Sequence, residues 1–196
     1  MESLRPTDCR RSPTGGGPTG GGPLTTLRRL VVLRHAKSAR PPGVADAERP
    51  LAERGLRDAP AAGRWLRDAG CVPDLVVCST AVRARQTWDL AARELPAGPA
   101  ARHDPRLYGA DAMDLLAVVR ETPDEVATLL LVGHNPALEE FVLLLAPEGL
   151  GDTLQRVEEK FPTSAIAVLT QQTSWPEAAP GGSLLTDVAV PRGAAD

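Results

Sequence analysis

Residues 30–38 of the chain read LVVLRHAKS, and this stretch decides the fold. Residues 30–33 form a short continuous apolar run, which is typical of a strand buried on both faces of a parallel sheet. Arg34 and His35 follow at once. In open α/β sheets, ligands bind at the carboxyl ends of the strands. The sequence therefore predicts a functional site directly after this first strand.

Strand and helix patterns alternate downstream of this stretch. Helical spacing covers residues 51–70, where Pro60 predicts a kink or a fresh helix start capped by Asp58. Further strands are predicted at 74–78, 101–107, 128–132 and, as the last one, 165–169; further helices are predicted at 82–95, 111–121 and 137–145, the last with Pro136 as its first residue. This alternation predicts an α/β fold with a largely parallel sheet covered by helices on both faces.

Both ends of the chain differ in composition from its middle. Residues 1–28 contain the repeat PTGGGPTGGGP at 13–23, which offers nothing to bury and predicts a flexible tail. Residues 171–196 turn polar and rich in Gly and Pro, and they are predicted to be a second flexible tail. The predicted folded domain therefore spans residues 29–170.

Composition excludes several classes of protein. The chain has 196 residues, of which 42% are hydrophobic and 24% charged, with a formal net charge of -3. These values are ordinary for a globular protein and argue against a nucleic-acid partner or a membrane protein. The chain has three cysteines, and their spacing is not that of a metal site. An odd number of cysteines favours a reducing cytoplasm over a disulfide framework. Arg10-Arg11 could begin a twin-arginine export signal, but Gly and Pro follow where the apolar region of such a signal should lie. The sequence therefore predicts no export signal.

Basic and imidazole side chains recur at the predicted strand ends. The second strand leads into Ser79 and Arg83, and the third ends at His134, so two of the three histidines of the chain lie at such ends. Two imidazoles and two guanidiniums without an obvious acidic counterweight would be costly to bring together unless an anion fills the site. A phosphoryl group fits, because arginine forks match its oxygens.

Three motifs make the chain resemble a known family. RHAKS at 34–38 resembles the RHG/RHA signature of the histidine phosphatase superfamily, and STAVRARQT at 79–87 resembles its second arginine motif. GHNP at 133–136, LAERG at 51–55 and FPTSAIAVL at 161–169 are similar to the small SixA-type phosphohistidine phosphatases. The resemblance covers residues 28–170 and implies a phosphoglycerate mutase-like fold, a three-layer α/β/α sandwich with a mostly parallel central sheet.

The resemblance also implies roles for individual residues. His35 would be the nucleophile that forms a transient phosphohistidine, and Arg34, Arg83 and His134 would hold the phosphoryl oxygens. Ser38 follows the nucleophile closely and could donate a further hydrogen bond to the phosphoryl group. Neither a metal nor a cofactor is required, since the arginines neutralise the transferred charge.

Other polar residues receive simpler interpretations. Arg85 stands two residues from Arg83 on a predicted helix and should point away from the site. His103 is expected at the surface, and Cys78 in the core. Lys37 could contact an acidic partner, and Asn135 is expected to cap the helix that follows.

A carboxylate that protonates the leaving group cannot be placed from the sequence. The candidates are Asp111 and Asp114 on one helix and Glu139 and Glu140 on another. The resemblance to SixA-type enzymes implies that this acid is missing. A phosphoramidate can leave as neutral imidazole without it, whereas an alkoxide needs a proton donor, so its absence favours N–P over O–P cleavage.

Three functions therefore stay open at this point. The first is a phosphohistidine phosphatase acting on a protein of a phosphorelay or phosphotransfer chain; the interval between Arg83 and His134 leaves no room for a lid domain, which favours a protein substrate. The second is a phosphomonoesterase acting on a small metabolite, with Asp111 as the acid. The third is a catalytically idle phosphate-binding module.

Overall fold

The computed structural model describes residues 27–194, in which seven strands form one sheet. The predicted N-terminal tail, apart from its last two residues, lies outside the described residues. The strands are β1 (Arg28–Arg34), β2 (Leu75–Ser79), β3 (Ala101–Asp104), β4 (Thr128–Gly133), β5 (Glu148–Gly149), β6 (Ile166–Gln171) and β7 (Leu184–Ala189). The helices are α1 (Glu53–Asp68), α2 (Val82–Ala92), α3 (Ala112–Arg120), α4 (Ala137–Leu145) and α5 (Thr153–Glu159), with short 3-10 turns at Asp46–Glu48 and Pro105–Leu107.

The sheet has the strand order β3-β2-β4-β1-β6-β7-β5. Strand β4 pairs in parallel with both β1 and β2, β2 pairs in parallel with β3, and β5 pairs in parallel with β7. Only β6 runs the other way, antiparallel to β1 and to β7. The prediction of a mostly parallel sheet is therefore confirmed. Within residues 27–194, no helix is long and apolar enough to cross a membrane.

Helices cover both faces of the sheet. Val31 and Leu33 of β1 pack in a core with residues of α1 and α2, such as Leu66. Leu30 and Val32 point to the other face, where they pack with α3, α4 and α5. Successive strand residues point to opposite faces, so a strand that is apolar throughout must be covered twice. The result is the expected three-layer sandwich.

Helix α1 runs without a break through Pro60, so the predicted fresh start is wrong. The prolyl ring removes one helical hydrogen bond, that to the carbonyl of Leu56, which lies on an exposed turn. Asp58 does not cap a helix. Its carboxylate is buried and accepts hydrogen bonds from the Arg192 side chain and the backbone N–H of Gly193.

The folded domain extends beyond residue 170, where the sequence predicted its end. Residues 171–194 do not form a loose tail: β7 lies inside the sheet between β6 and β5, and Trp175 is fully buried. The Trp175 indole donates a hydrogen bond to the carbonyl of Val126 at 2.7 Å. Pairing with β6 and burial of an indole stabilise a segment whose composition is typical of loops.

Candidate active site

The carboxyl ends of β2, β4 and β1 lie side by side, because these strands are neighbours in the sheet. Arg34, the last residue of β1, lies opposite Gly133, which directly precedes His134. Strand β2, which ends at Ser79, pairs with the other edge of β4. The topology therefore brings the three sequence motifs to one place.

One hydrogen bond fixes the tautomer of the His35 ring. The residue is 8% exposed, and its Nδ1 lies 2.7 Å from the carbonyl oxygen of Ala36. A carbonyl only accepts hydrogen bonds, so Nδ1 carries the proton and donates it. The lone pair is then on Nε2, which has no hydrogen-bond partner among the described residues. Nε2 is therefore the ring nitrogen that can attack an electrophile.

The loop that carries His35 is tied to helix α2. The backbone N–H of Ala36 donates to the hydroxyl of Thr87 at 2.9 Å. That hydroxyl in turn donates to the carbonyl of Arg83 at 2.6 Å. One buried threonine thus fixes the position of His35 relative to the helix that bears Arg83.

The same loop also rests against helix α1. A Cβ atom at Gly55 would overlap the carbonyl oxygen of Lys37, two residues after His35. Only glycine lets the helix approach the loop backbone this closely. This contact gives the LAERG motif at 51–55 a physical reason.

His134 lies beside His35, with 5.0 Å between the centroids of the two rings. Its Nε2 is 2.8 Å from the hydroxyl oxygen of Ser79, a fully buried side chain. Its Nδ1 is buried and has no hydrogen-bond partner in the described part of the chain. The second imidazole is therefore held from one side only.

Both imidazoles are neutral at pH 7. Burial lowers the pKa of His35 from 6.5 to about 3, with the neighbouring His134, Arg83 and Arg34 adding to the effect. Burial, followed by the charge of Arg83, lowers the pKa of His134 to about 4. A neutral His35 keeps its Nε2 lone pair available for attack.

Arg34 is the first of two guanidiniums at the site. Its Nη1 donates to the carbonyl of Phe161 at 2.6 Å, and burial lowers its pKa. Its Nε is buried without a hydrogen-bond partner among residues 27–194. Buried polar groups are rarely left unpaired. An oxyanion would supply acceptors for donors such as Arg34 Nε, so a phosphoryl group fits this cluster.

Arg83, the second guanidinium, already has an acidic partner. Its Nη1 donates to the carbonyl of Asp46 at 2.6 Å, and its Nη2 donates to the Asp46 carboxylate at 3.0 Å. The expectation of a cationic site without acidic counterweight is therefore wrong. Asp46 lies in a 3-10 turn of the loop between β1 and α1, where no strand or helix pattern drew attention to it.

Two further side chains hold the Asp46 carboxylate. Arg49 donates to Oδ1 at 2.6 Å, and the Tyr108 hydroxyl donates to Oδ2 at 2.9 Å. These bonds, from Arg49 first, then Tyr108 and Arg83, hold the pKa of Asp46 well below its usual range. The carboxylate is ionised at neutral pH. The sequence signal for it is an Asp three residues before Arg49 and five residues before the start of the LAERG motif.

Ser38 lies at the site as predicted, with its hydroxyl accepting a hydrogen bond from Arg49 Nη2 at 2.6 Å. A hydroxyl that accepts keeps its own proton for another acceptor. Its role toward a phosphoryl oxygen stays a prediction.

Four other residues occupy the positions that the sequence led us to expect. Lys37 and Arg85 are exposed, Lys37 two residues after His35 and Arg85 on the outer side of α2. His103 is exposed on β3. Cys78 is fully buried, and burial raises the pKa of its thiol to about 12.

The predicted acid candidates of α3 are engaged in capping. The Asp111 carboxylate accepts hydrogen bonds from the backbone N–H groups of Met113 and Asp114, and the Asp114 carboxylate accepts from that of Asp111. This reciprocal pair is a capping box, which satisfies free N–H groups at the helix start.

The candidates near α4 differ from each other. Glu139 accepts a hydrogen bond from the side chain of Asn135 at 2.8 Å, whereas Glu140 is exposed. Asn135 does not cap α4; Pro136 precedes its first residue, and Asn135 also donates to the carbonyl of Phe161.

Two cavities meet at Arg83. The smaller, of about 160 Å³, is lined by Arg34, His35, Ser38 and Arg49 among others. The larger, of about 390 Å³, is lined by His134, Asp46, Tyr108 and the start of α4. The described residues contain no group of three or more His, Cys, Asp or Glu side chains that could hold a metal ion.

Comparison with known proteins agrees with this geometry. The model of the histidine phosphatase superfamily (branch 1) matches residues 30–126. A protein of unspecified function from Mycobacterium tuberculosis (strain ATCC 25618 / H37Rv) is 44% identical over 162 residues, which are 82% of this chain and all of the relative.

Solved structures extend the similarity. A SixA protein from Nakamurella multipartitia is 33% identical with a TM-score of 0.75, over 89% of this chain and 99% of that one. The protein histidine phosphatase SixA complexed with tungstate is 25% identical with a TM-score of 0.68, over 83% of this chain and 97% of that one.

A phosphoglycerate mutase from Plasmodium falciparum shares the fold alone, at 16% identity and a TM-score of 0.57 over 87% of this chain and 95% of that one. The predicted phosphoglycerate mutase-like fold is thus confirmed. With its motifs gathered at adjoining strand ends and its relatives matched over nearly their whole length, the chain belongs to the histidine phosphatase superfamily, branch 1, as a phosphatase of the SixA type.

Proposed function

We propose that this phosphatase hydrolyses phosphohistidine on a protein partner through a covalent phosphohistidine at His35. The observation that carries the proposal is the hydrogen bond from Nδ1 of His35 to the carbonyl of Ala36, which leaves Nε2 unprotonated beside His134. Arg34 and Arg83 line the smaller cavity together with His35.

The first step transfers the phosphoryl group to the enzyme. Nε2 of His35 attacks phosphorus with its lone pair, and the P–N bond to the substrate imidazole breaks. The electron pair of that bond returns to the leaving nitrogen, so a ring protonated on its other nitrogen departs as neutral imidazole. Arg34, Arg83 and His134 hold the phosphoryl oxygens, in keeping with the positional and electrostatic demands of phosphoryl transfer.

The second step releases phosphate. In the phosphoenzyme, Nδ1 of His35 keeps its proton through the bond to Ala36, so the phosphorylated ring is an imidazolium. Water attacks phosphorus, the bond to Nε2 breaks with its electron pair returning to Nε2, and the water protons stay with the phosphate. Nε2 leaves as part of a neutral ring, so neither step needs a metal or a cofactor.

One observation supports an N–P substrate over an ester. The Asp111 carboxylate, the nearest acid predicted from the sequence, is engaged in the capping box of α3. The SixA relative at 25% identity is complexed with tungstate, a tetrahedral oxyanion with the shape of phosphate, which supports a phosphoryl substrate of either kind. A phosphoramidate needs no proton donor when it leaves as neutral imidazole, whereas an alkoxide does.

A protein substrate suits the rim of the site. Asp46 and Tyr108 are exposed at the mouth of the larger cavity, and the exposed Lys37 lines the smaller one. A side chain carried on a partner's surface could enter from this side. We propose a phosphorelay or phosphotransfer carrier as this partner, and a cytoplasmic location remains a prediction from the cysteine usage.

Phosphate release separates this function from the two alternatives. Wild-type protein is given a histidine-phosphorylated carrier beside a panel of small phosphomonoesters, with His35→Ala in parallel. We expect release from the carrier and a loss of more than about 1,000-fold in the variant, because the nucleophile is gone. Preference for a small ester would support a metabolite phosphomonoesterase. Phosphate binding without turnover on any substrate would support an idle binding module.

A further inference from the structure

The two cavities that meet at Arg83 differ in the residues that line them. His35 lines the smaller cavity and not the larger one, whereas His134 and Asp46 line the larger cavity. Phosphoryl transfer places the attacking and leaving atoms roughly in line on opposite sides of phosphorus. A leaving group opposite His35 therefore extends past Arg83 and His134 into the larger cavity.

No side chain of the larger cavity is a proton donor at neutral pH. The Asp46 carboxylate is ionised because Arg49, Tyr108 and Arg83 hold its pKa far below the usual range. His134 is neutral, with a pKa lowered to about 4. The Tyr108 hydroxyl gives its hydrogen bond to Asp46, which raises its pKa. An alkoxide leaving group would meet a fixed negative charge there.

We propose that Asp46 is a specificity-determining residue, whose carboxylate pairs with the protonated nitrogen of the leaving group and so selects phosphoramidates over phosphate esters. The proposal rests on the proposed function, and it deepens it by assigning the choice of substrate to one carboxylate. The Asp46 side chain is 54% exposed, so it is accessible beside its three partners. Opposite charges within about 4 Å attract, and like charges repel by similar amounts. The same carboxylate rejects substrates that carry a further anionic group next to the phosphate ester.

The role of Asp46 in the reaction is electrostatic and leaves the proton balance unchanged. The substrate ring enters with a proton on the nitrogen remote from phosphorus, and Asp46 accepts a hydrogen bond from that N–H. When the P–N bond breaks, its electron pair neutralises the ring and the proton stays on the remote nitrogen. Asp46 therefore favours the protonated substrate, which is the form that can leave.

The test compares Asp46→Asn with the wild type on two substrates. One is phosphohistidine, whose leaving imidazole ring is cationic, and the other is p-nitrophenyl phosphate, whose leaving phenolate needs no proton. We expect kcat/KM for phosphohistidine to fall by about 10- to 100-fold, and that for the ester to change by less than about 3-fold or to rise. Glu48→Gln is the matched control, because it removes an exposed carboxylate from the same 3-10 turn.

Binding of inorganic phosphate separates selection from mere positioning of Arg83. If Asp46 selects the leaving group, the variant binds phosphate as tightly as the wild type or more tightly, because a negative charge has been removed. The alkaline limb of kcat on phosphohistidine also moves to lower pH in the variant. An equal fall on both substrates, together with weaker phosphate binding, would overturn the proposal. Wild-type protein without any phosphohistidine activity would instead contradict the proposed function itself.

Discussion

Nε2 of His134 lies 2.8 Å from the hydroxyl oxygen of Ser79, and the backbone N–H of Ala81 points to the same oxygen at 3.4 Å. Among the described residues the Ser79 hydroxyl has no other acceptor for its proton, so we assign that proton to the bond with Nε2 of His134. The imidazole is then the tautomer with its proton on Nδ1, the nitrogen that has no partner among the described residues. Ser79 is therefore a positioning residue, which holds the neutral His134 ring with its Nδ1–H free to donate a hydrogen bond.

We expect Ser79→Ala to lower kcat/KM by about 10-fold or more and to cost about 1–3 kcal/mol of unfolding free energy, because a buried imidazole nitrogen loses its partner. Nitrogen NMR of the histidine rings checks the tautomer directly. The wild type should show His134 protonated on Nδ1, and the variant a mixture of tautomers. An unchanged Nδ1–H signal in the variant would contradict the role given to Ser79.

The two buried histidines predict how stability depends on pH. Their pKa values, about 3 for His35 and about 4 for His134, lie below the 6.5 of an unfolded chain. The unfolded chain therefore binds protons first, so this stabilisation is complete above about pH 6.5 and is lost as the pH falls toward 3.

Urea unfolding between pH 7 and pH 4.5 measures the effect. The unfolded wild-type chain binds more protons than the folded one, and His35→Ala reduces this difference by about one proton. As the pH falls, the free energy of unfolding of the variant should therefore decrease less steeply than that of the wild type, by up to about 1.4 kcal/mol per pH unit. His103→Ala, which changes an exposed histidine, serves as the control and should keep the wild-type slope. Identical slopes for all three proteins would mean that His35 is not buried in its neutral form.

Alanine substitutions at two glycines of α1 should have different effects on activity but similar effects on stability. A Cβ at Gly55 would overlap the carbonyl of Lys37 in the His35 loop, and one at Gly63 would overlap the carbonyl of Ala91 at the crossing with α2. Both Gly→Ala variants should have a lower Tm, because backbone must move to make room. Only Gly55→Ala should also lower kcat on p-nitrophenyl phosphate, by about 10-fold or more, since the His35 loop is displaced. Equal effects of the two variants on kcat would refute this reason for the LAERG glycine.

One buried carboxylate binds the end of the C-terminal segment, beyond β7. Asp58, whose side chain is 1% exposed, accepts from Arg192 Nη1 at 2.8 Å and from the backbone of Gly193 at 3.1 Å. Arg192→Ala should cost about 1.5–3 kcal/mol, the range for hydrogen bonds to charged groups. Arg85→Ala, at an exposed arginine, should change the unfolding free energy by less than about 0.5 kcal/mol. Equal changes in the unfolding free energy for the two variants would show that the contact between Arg192 and Asp58 does not stabilise the protein.

The sheet and the positions of the predicted site residues could be predicted because their signals are local. Residues 30–33 are apolar throughout, since β1 lies between two strands and two helical layers, and the polar residues that follow mark the strand end. The carboxyl-end rule then places Arg34, His35 and His134 together.

The missed features depend on contacts that have no local pattern. Strand β7 is only partly apolar and follows a polar, glycine-rich stretch, and its pairing with β6 stabilises it as a strand. Asp46 stands in a loop, and its partners Arg83 and Tyr108 are distant in sequence. Asp58 appeared to be a helix cap, because its partner Arg192 lies in a segment whose composition predicted a tail.

The central claim is that Nε2 of His35 receives the phosphoryl group from a protein phosphohistidine. The most direct measurement mixes the enzyme with a carrier labelled with ³²P on its histidine, quenches the reaction within milliseconds and locates the label. The account predicts acid-labile, base-stable label on the enzyme, mapped to His35 and absent from His35→Ala. Release of labelled phosphate while the enzyme never carries label, or label on another residue, would contradict it.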